Sequence, residues 1–403
     1  MYRVSPFVRH FAFALMSGVA LATVWLNLSP ESYYDAIEWR LIEVSLTDWL
    51  VHAPFVPTPL SVVSEGLMAF FLFFVGKELW EALILERGAL SGRRAILPLS
   101  GMVGGWFGAV SLWLITGALF ETALEATPGV GWMVPIGSDV VLCYLVGRFI
   151  FGAGHPALHL LLLLTIGSDI AGLVIVGLTS PSADLRLLWL LLTVGSAFGV
   201  WWAFGRHAKP NATERDQRRA FQLWPYVFAG VFSWLGVVFA GLPGALGFLP
   251  IIPAIPHADR AFGLFAEAEE FLHDPLNRLA HLFVRPLAVI LFLFGLTRGG
   301  VDVLAIAPTT TTVLSAMWIG KPIGILFGAA CAGLSGFPMP PGARLRDFVL
   351  VALISGIGFT VPVLALDAAL PGGGMAEAAR AGFVVTFLMA PIAILIGKIL
   401  GKK

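Results

Sequence analysis

Charged side chains are scarce in this chain. Asp, Glu, Lys and Arg make up 12% of its 403 residues, against about 25% in soluble domains, which excludes an ordinary soluble globule. Cysteine is scarcer still. Cys143 and Cys331 are the only two, each in an apolar run, so a disulfide framework is excluded. Neither charge sign is in excess, since 25 basic residues balance 25 acidic ones, and nothing calls for a nucleic-acid partner. Long polar stretches are missing apart from Arg206 to Arg219. The first apolar run, Phe11 to Leu26, lacks a small-residue cleavage site and reads as a retained span rather than a leader.

What is present is apolar surface: 58% hydrophobic residues and a mean hydropathy of +0.88. Apolar windows of about 20 residues mark candidate spans. They fall at 9–26, 60–84, 95–118, 131–150, 157–178, 185–204, 222–240, 243–256, 276–297, 308–333, 346–370 and 378–400. The pattern predicts an all-α membrane protein of about twelve transmembrane helices, the eighth short for a crossing. A single polytopic domain is expected over 1–403, with six spans in 1–205, a cytoplasmic linker at 206–221 and six spans in 222–403. With the N-terminus inside, the basic residues outside the spans fall on the inner side except Arg40, Arg186, Arg298 and Arg380. Both termini are therefore expected in the cytoplasm.

Few groups at membrane depth can carry chemistry. Asp139 sits in an interrupted segment, Pro135-Ile136-Gly137-Ser138-Asp139, and Asp169 in the otherwise apolar Thr165-Ile166-Gly167-Ser168-Asp169-Ile170. A carboxylate there is expensive and by default marks an ion or proton path. A second interruption is predicted at Ser355-Gly356-Ile357-Gly358-Phe359-Thr360-Val361-Pro362. Non-helical backbone at that depth must be buried in protein or line a wet cavity. Paired interruptions point to an inverted-repeat transporter with a site near the midplane. In that arrangement half-helices cross, and Asp139 either neutralises their positive ends or touches the ion directly. The helix around Asp169 shows no break, so dipole compensation does not explain it, and proton or cation exchange does.

Lys321, in Gly320-Lys321-Pro322, is the other deep charge and needs a partner. Asp169 and Asp139 are the candidates at depth, and a pair with Asp169 is expected, either one that opens to admit a cation or an inert salt bridge. Lys77 and Glu78 lie toward the inner end of the second window. They form either a cation mouth with a pH response or an interfacial pair. His155 and His159 have helical spacing but no third ligand, which argues against a resident metal. Arg148 and Arg298 are at span ends, where their heads can reach the interface. The polar 257–278 segment, with His257, His273 and Asp274, offers either a pH-responsive surface or a plain charged loop.

These residues also carry a family resemblance. Glu65-Gly66-Leu67-Met68-Ala69-Phe70-Phe71 followed by Val75-Gly76-Lys77-Glu78 resembles the D-G-L-M-A-x-F-F…V-G-L-E run of NhaA sodium/proton antiporters. Ser138-Asp139 matches the family's T-D, and Ser168-Asp169 falls on its D-D pair. Gly320-Lys321-Pro322-Ile323-Gly324-Ile325 matches G-K-P-L-G-I, and Gly356-Ile357-Gly358-Phe359-Thr360 matches G-I-G-F-T. Trp25-Leu26-Asn27 with Tyr33-Tyr34 fits as well. The resemblance runs in order over nearly the whole chain. It implies a twelve-helix inverted-repeat fold with two crossed, discontinuous helices, often dimeric, exchanging sodium or lithium for protons in the inner membrane.

Departures from the family pattern set the finer expectations. Ser168 replaces the first aspartate of the pair, the one usually matched with the lysine. One titrating group and one anionic ligand are gone, though Ser168 still offers a neutral oxygen. With Asp169 alone, fewer protons should move per cation, and exchange is expected to be electroneutral. Lys77 replaces an apolar residue, Trp80-Glu81-Ala82 a basic-basic-acidic run, and Leu242-Pro243-Gly244 the family's H-A-T-L-A. Its pH-sensing behaviour is therefore not carried over.

The resulting expectation is a secondary transporter, not an enzyme, with no cofactor; the only metal ion is cargo at Asp169, and the partners are the cation, protons, the bilayer and a second copy in a homodimer. Ser138 and Ser168 would add neutral ligands, Lys321 would be the charge partner, and Pro135, Gly137, Gly356, Gly358 and Thr360 would shape the breaks. Two alternatives stay open. Lys77, Arg298 and Lys321 would suit a small organic anion moved with protons or sodium. An intramembrane aspartyl protease would need two aspartates sharing a proton, and the repeated Ile-Gly-Ser-Asp at 136–139 and 166–169 lacks the G-x-G-D signature.

Overall fold

The computed structural model describes residues 7–41, 57–84, 92–119, 131–152, 154–179, 185–207, 218–257, 274–340, 342–370 and 373–401. Among them every regular element is helical. In chain order these are α1 (Phe7–Leu28), α2 (Pro30–Ile37), α3 (Pro59–Ile84), α4 (Gly92–Leu119), α5 (Val140–Phe151), α6 (Pro156–Thr179), α7 (Leu187–Ala203), α8 (Trp224–Phe239), α9 (Pro275–Arg298), α10 (Pro308–Leu334), α11 (Leu345–Ile354), α12 (Thr360–Ala369) and α13 (Gly374–Leu400). Eight helices among the described residues are long and apolar enough to cross a membrane, and α7, α8 and Gly244–Ala254 are shorter apolar helices.

Two expected spans take other forms. The short eighth window folds as two 3-10 turns, Gly244–Leu246 and Leu249–Ala254. Pro250 and Pro253 each remove a backbone donor, which prevents a continuous α-helix. The eleventh window divides into α11 and α12 around residues 355–359. A further helix, α2, lies between the first two candidate spans. Pro30 starts it, and the buried Tyr33 donates its hydroxyl to the carbonyls of Leu296 and Thr297 at 3.0 and 3.2 Å. Residues 51–56, most of the 206–219 linker and the acidic part of 257–278 lie outside the described residues.

The chain forms two compact units, and each draws on both halves of the sequence. One comprises Met1–Ala12, Glu81–Pro181 and Val301–Lys403; the other comprises Phe13–Trp80 and Ser182–Gly300. The second is held by an apolar core around Phe73, Tyr226, Ile251 and Leu276, with Phe70 set between Phe248 and Phe283 at ring distances of 4.9 and 4.7 Å. Its α3 opens on a capping box: Ser61 N donates to Thr58 Oγ1 at 3.2 Å, and Thr58 N to Ser61 Oγ at 2.9 Å.

The first unit is organised on the contact of α4 with α10. Bare glycines let the two backbones meet: a Cβ on Gly104 would collide with the Gly324 carbonyl, one on Gly108 with that of Gly320, and one on Gly328 with that of Ser100. Such small-residue seams supply most of the packing between helices in lipid. Gly324→Leu should force α4 and α10 apart, where even ordinary overpacking costs about 1–3 kcal/mol. The expected result is loss of monodisperse protein in detergent. Gly333→Leu, on the same helix with nothing within 4 Å of its added Cβ, should run as wild type in size-exclusion chromatography.

Candidate ion-binding site

The site lies within the first unit, where the two interruptions meet. Before α5 the chain makes a single 3-10 turn, Val134–Ile136, and then extends through Gly137 at ψ 167°. Pro135 cannot donate to a helical ladder, so the turn ends with its carbonyls unclaimed. Asp139 then caps α5, its Oδ1 accepting from Leu142 N at 2.7 Å. Its Oδ2 accepts from Thr360 N, the first residue of α12, at 3.2 Å. One carboxylate thus serves the N-terminal ends of two helices, where negative charge is favoured.

Backbone bonds tie the interruptions together. Asp139 N donates to Ile357 O at 2.9 Å, and the Ser138 hydroxyl to Ser355 O at 3.2 Å. Cys143 Sγ points at Ile354 O, 3.2 Å away. Gly358 N donates to Thr386 Oγ1 at 3.1 Å. Gly356 allows Met317 close, since a Cβ there would sit 2.6 Å from the Met317 carbonyl.

Asp169 is fully buried in the middle of unbroken α6. Its Oδ1 accepts from Ser138 N at 2.6 Å. Its Oδ2 has no hydrogen-bond partner among the described residues. A buried carboxylate oxygen left unmatched is costly unless something occupies it. A proton or a small cation on Oδ2 meets that need.

Lys321 makes no direct ion pair with Asp169 among the described residues, although the two charges lie close enough to act on one another. Its ammonium donates to Ile136 O and Ser138 Oγ, each at 2.8 Å, and to Gly137 O, with Pro135 O at 3.5 Å. No ion pair joins it to an acid among the described residues. The reason is local. The aborted turn at 134–136 presents consecutive carbonyls that no helical N–H can reach, and an ammonium carries the donors to satisfy them. A five-residue π turn, Ala316–Gly320, immediately precedes the lysine. Neither this turn nor the carbonyl cradle has a residue signature that would show in the sequence.

Ser168 is 2% exposed, and its Oγ accepts from Trp106 Nε1 of α4 at 3.0 Å. Trp106 belongs to no motif in the sequence. Its only signal was a bulky indole donor in a glycine-rich helix.

Other singled-out residues are held elsewhere. Lys77 and Glu78 belong to the second unit and form an ion pair at 3.3 Å, buried to 1% and 3% exposure. Arg298, expected to reach the interface, is instead buried, with Nε donating to Ser64 Oγ at 2.8 Å. Neighbouring Glu65 accepts from Gly244 N. All three basic groups that would suit an anionic cargo are thus engaged. The two Ile-Gly-Ser-Asp copies fold differently, one as an interruption and one inside a helix, and no hydrogen bond joins Asp139 to Asp169 among the described residues. His155 Nδ1 accepts from Ala157 N at 3.2 Å, at the start of α6. No cluster of three metal-ligating side chains occurs among the described residues.

A family model described as Na+/H+ antiporter 1 matches residues 9–399. The chain is 39% identical over 413 residues to the Na(+)/H(+) antiporter NhaA of Jannaschia sp. (strain CCS1), covering 99% of this chain and 98% of that one. It is 32% identical to the Na(+)/H(+) antiporter NhaA of Desulfitobacterium hafniense (strain Y51), covering 98% and 96%. The solved structure of the sodium proton antiporter MjNhaP1 from Methanocaldococcus jannaschii at pH 8 aligns with a TM-score of 0.52 at 14% identity, over 97% of this chain and 95% of that one. At that identity the likeness is one of fold.

Proposed function

The chain belongs to the Na+/H+ antiporter 1 family, and on that premise we propose that it exchanges Na+ or Li+ for protons at Asp169. It is a multi-pass membrane transporter, not an enzyme. The observation that carries the site is Asp169 Oδ2, buried beside two broken helices without a partner among the described residues. A proton and a cation compete for that oxygen, and rocking of one helix bundle against the other would expose it to each side in turn. Asp139 is occupied with the ends of α5 and α12, and Lys321 with carbonyls, so neither is needed as the carrier.

The same reading includes twelve crossings in an inverted repeat, with the 131–151 and 345–369 spans crossing at their interruptions. The bonds from Asp139 to Ile357 and Thr360 support the crossing. The distribution of basic residues supports an inner-membrane protein with both termini in the cytoplasm. A homodimer in the bilayer completes it.

Loss of the usual first aspartate at Ser168 leaves one titrating acid at the exchange site. One proton per cation is then expected, with no net charge moved. Na+- or Li+-driven proton flux in proteoliposomes, measured with and without an imposed potential, checks this. Wild type should ignore the potential, and Ser168→Asp should become sensitive to it. Equal voltage responses in the two would remove the one-proton assignment, and absence of cation-driven flux in wild type would remove the exchange assignment itself.

A further inference from the structure

We infer that Trp106 is a specificity-determining residue that weakens the cation site by occupying Ser168, and the inference rests on the exchange reading above. The contact is built by packing. Gly167 has no side chain, and a Cβ there would fall 2.6 Å from Met102 Sδ. That bare position lets α4 lie close on α6. One turn along α4 from Met102, Trp106 then reaches the residue that follows Gly167, with Nε1 3.0 Å from Ser168 Oγ.

The electrostatic consequence follows from the direction of the bond. A cation needs oxygen lone pairs facing it. The indole N–H takes one lone pair of Ser168 and points the positive end of its dipole at that oxygen. The Ser168 hydroxyl donates to no acceptor among the described residues, so its own proton stays free to turn toward the site. Accepting a bond also polarises the hydroxyl and makes it a better donor. This chain therefore presents at position 168 a group tuned to donate. With one of its two lone pairs held by the indole, Ser168 is a poorer cation ligand than a free hydroxyl, and the difference appears in the apparent affinity.

Trp106→Phe removes the N–H and keeps a ring in the space. The dissociation constant for Li+, measured by calorimetry on the protein in detergent, should fall about two- to tenfold, the range one neutral hydrogen bond supports. In proteoliposomes KM for Li+ should fall with it, and kcat should move less than KM. Ser168→Ala should weaken binding, and adding Trp106→Phe to Ser168→Ala should change nothing further. If Trp106→Phe does not fold, Trp106→Met, a flexible apolar filler, makes the same test. Unchanged or weaker Li+ binding in the ring variant overturns the inference, as does an equal gain in the Ser168→Ala background. Those results leave exchange standing. A wild type that neither binds Li+ nor drives proton flux overturns both.

Discussion

Asp169→Asn is expected to abolish exchange while leaving the protein folded. Loss of a group that handles the proton directly typically costs about 10²–10⁴ in rate, so residual flux should be near the liposome leak. The substitution is close to isosteric. The amide oxygen can still accept from Ser138 N, as Oδ1 does at 2.6 Å, so the 137–139 segment keeps its anchor. What disappears is the anionic Oδ2, unmatched among the described residues, replaced by an amide that takes up neither a proton nor a cation there. Detergent melting close to wild type, together with absent flux, is the predicted combination. Brisk Na+- or Li+-driven flux in this variant would end the assignment of Asp169 as carrier.

Competition at that oxygen also fixes a pH dependence in the wild type. As pH falls, protons displace the cation, so apparent KM for Li+ should rise, approaching roughly tenfold per pH unit for a single competing proton. A limiting slope twice as steep would require a second linked proton and would count against one titrating acid.

The sequence marks where buried charge is costly but does not say which group meets that cost. Asp139, Asp169 and Lys321 stand out because an ionisable side chain is rare in apolar runs. The interruptions stand out because proline and glycine break helices in predictable ways. Partners are another matter. Lys321 is met by the carbonyls of Ile136 and Gly137, and Asp169 by the N–H of Ser138. Every residue carries such backbone groups, so no pattern of residue types identifies the ones left free by a broken turn. Opposite charges were the natural partners to expect from sequence, whereas the direct hydrogen-bond partners of Lys321 are these carbonyls and the Ser138 hydroxyl. The α4–α10 seam was hidden similarly: glycines mark closeness, but which helix approaches them is set by the tertiary fold. Pro250 and Pro253 were visible, yet an apolar window of that length still read as a span.

Lys321→Met is expected to damage the fold more than it damages ion selectivity. Methionine replaces the stem of the lysine but none of its donors. The carbonyls of Ile136 and Gly137 and the Ser138 hydroxyl would then lose the ammonium that joins them. A buried acceptor left unmatched costs about 1–3 kcal/mol, and these acceptors sit in the segment that positions Ser138 N on Asp169. The melting midpoint in detergent should drop clearly, with flux falling in step with the folded fraction. Lys321→Arg keeps the charge and the donors, although a planar fork fits a carbonyl cradle less well than an ammonium. Its midpoint should fall between wild type and the methionine variant. A different outcome would be equally informative. If Lys321→Met melts like wild type but no longer exchanges ions, the ammonium must act on Asp169 during transport, and its role at the 135–137 carbonyls would be secondary.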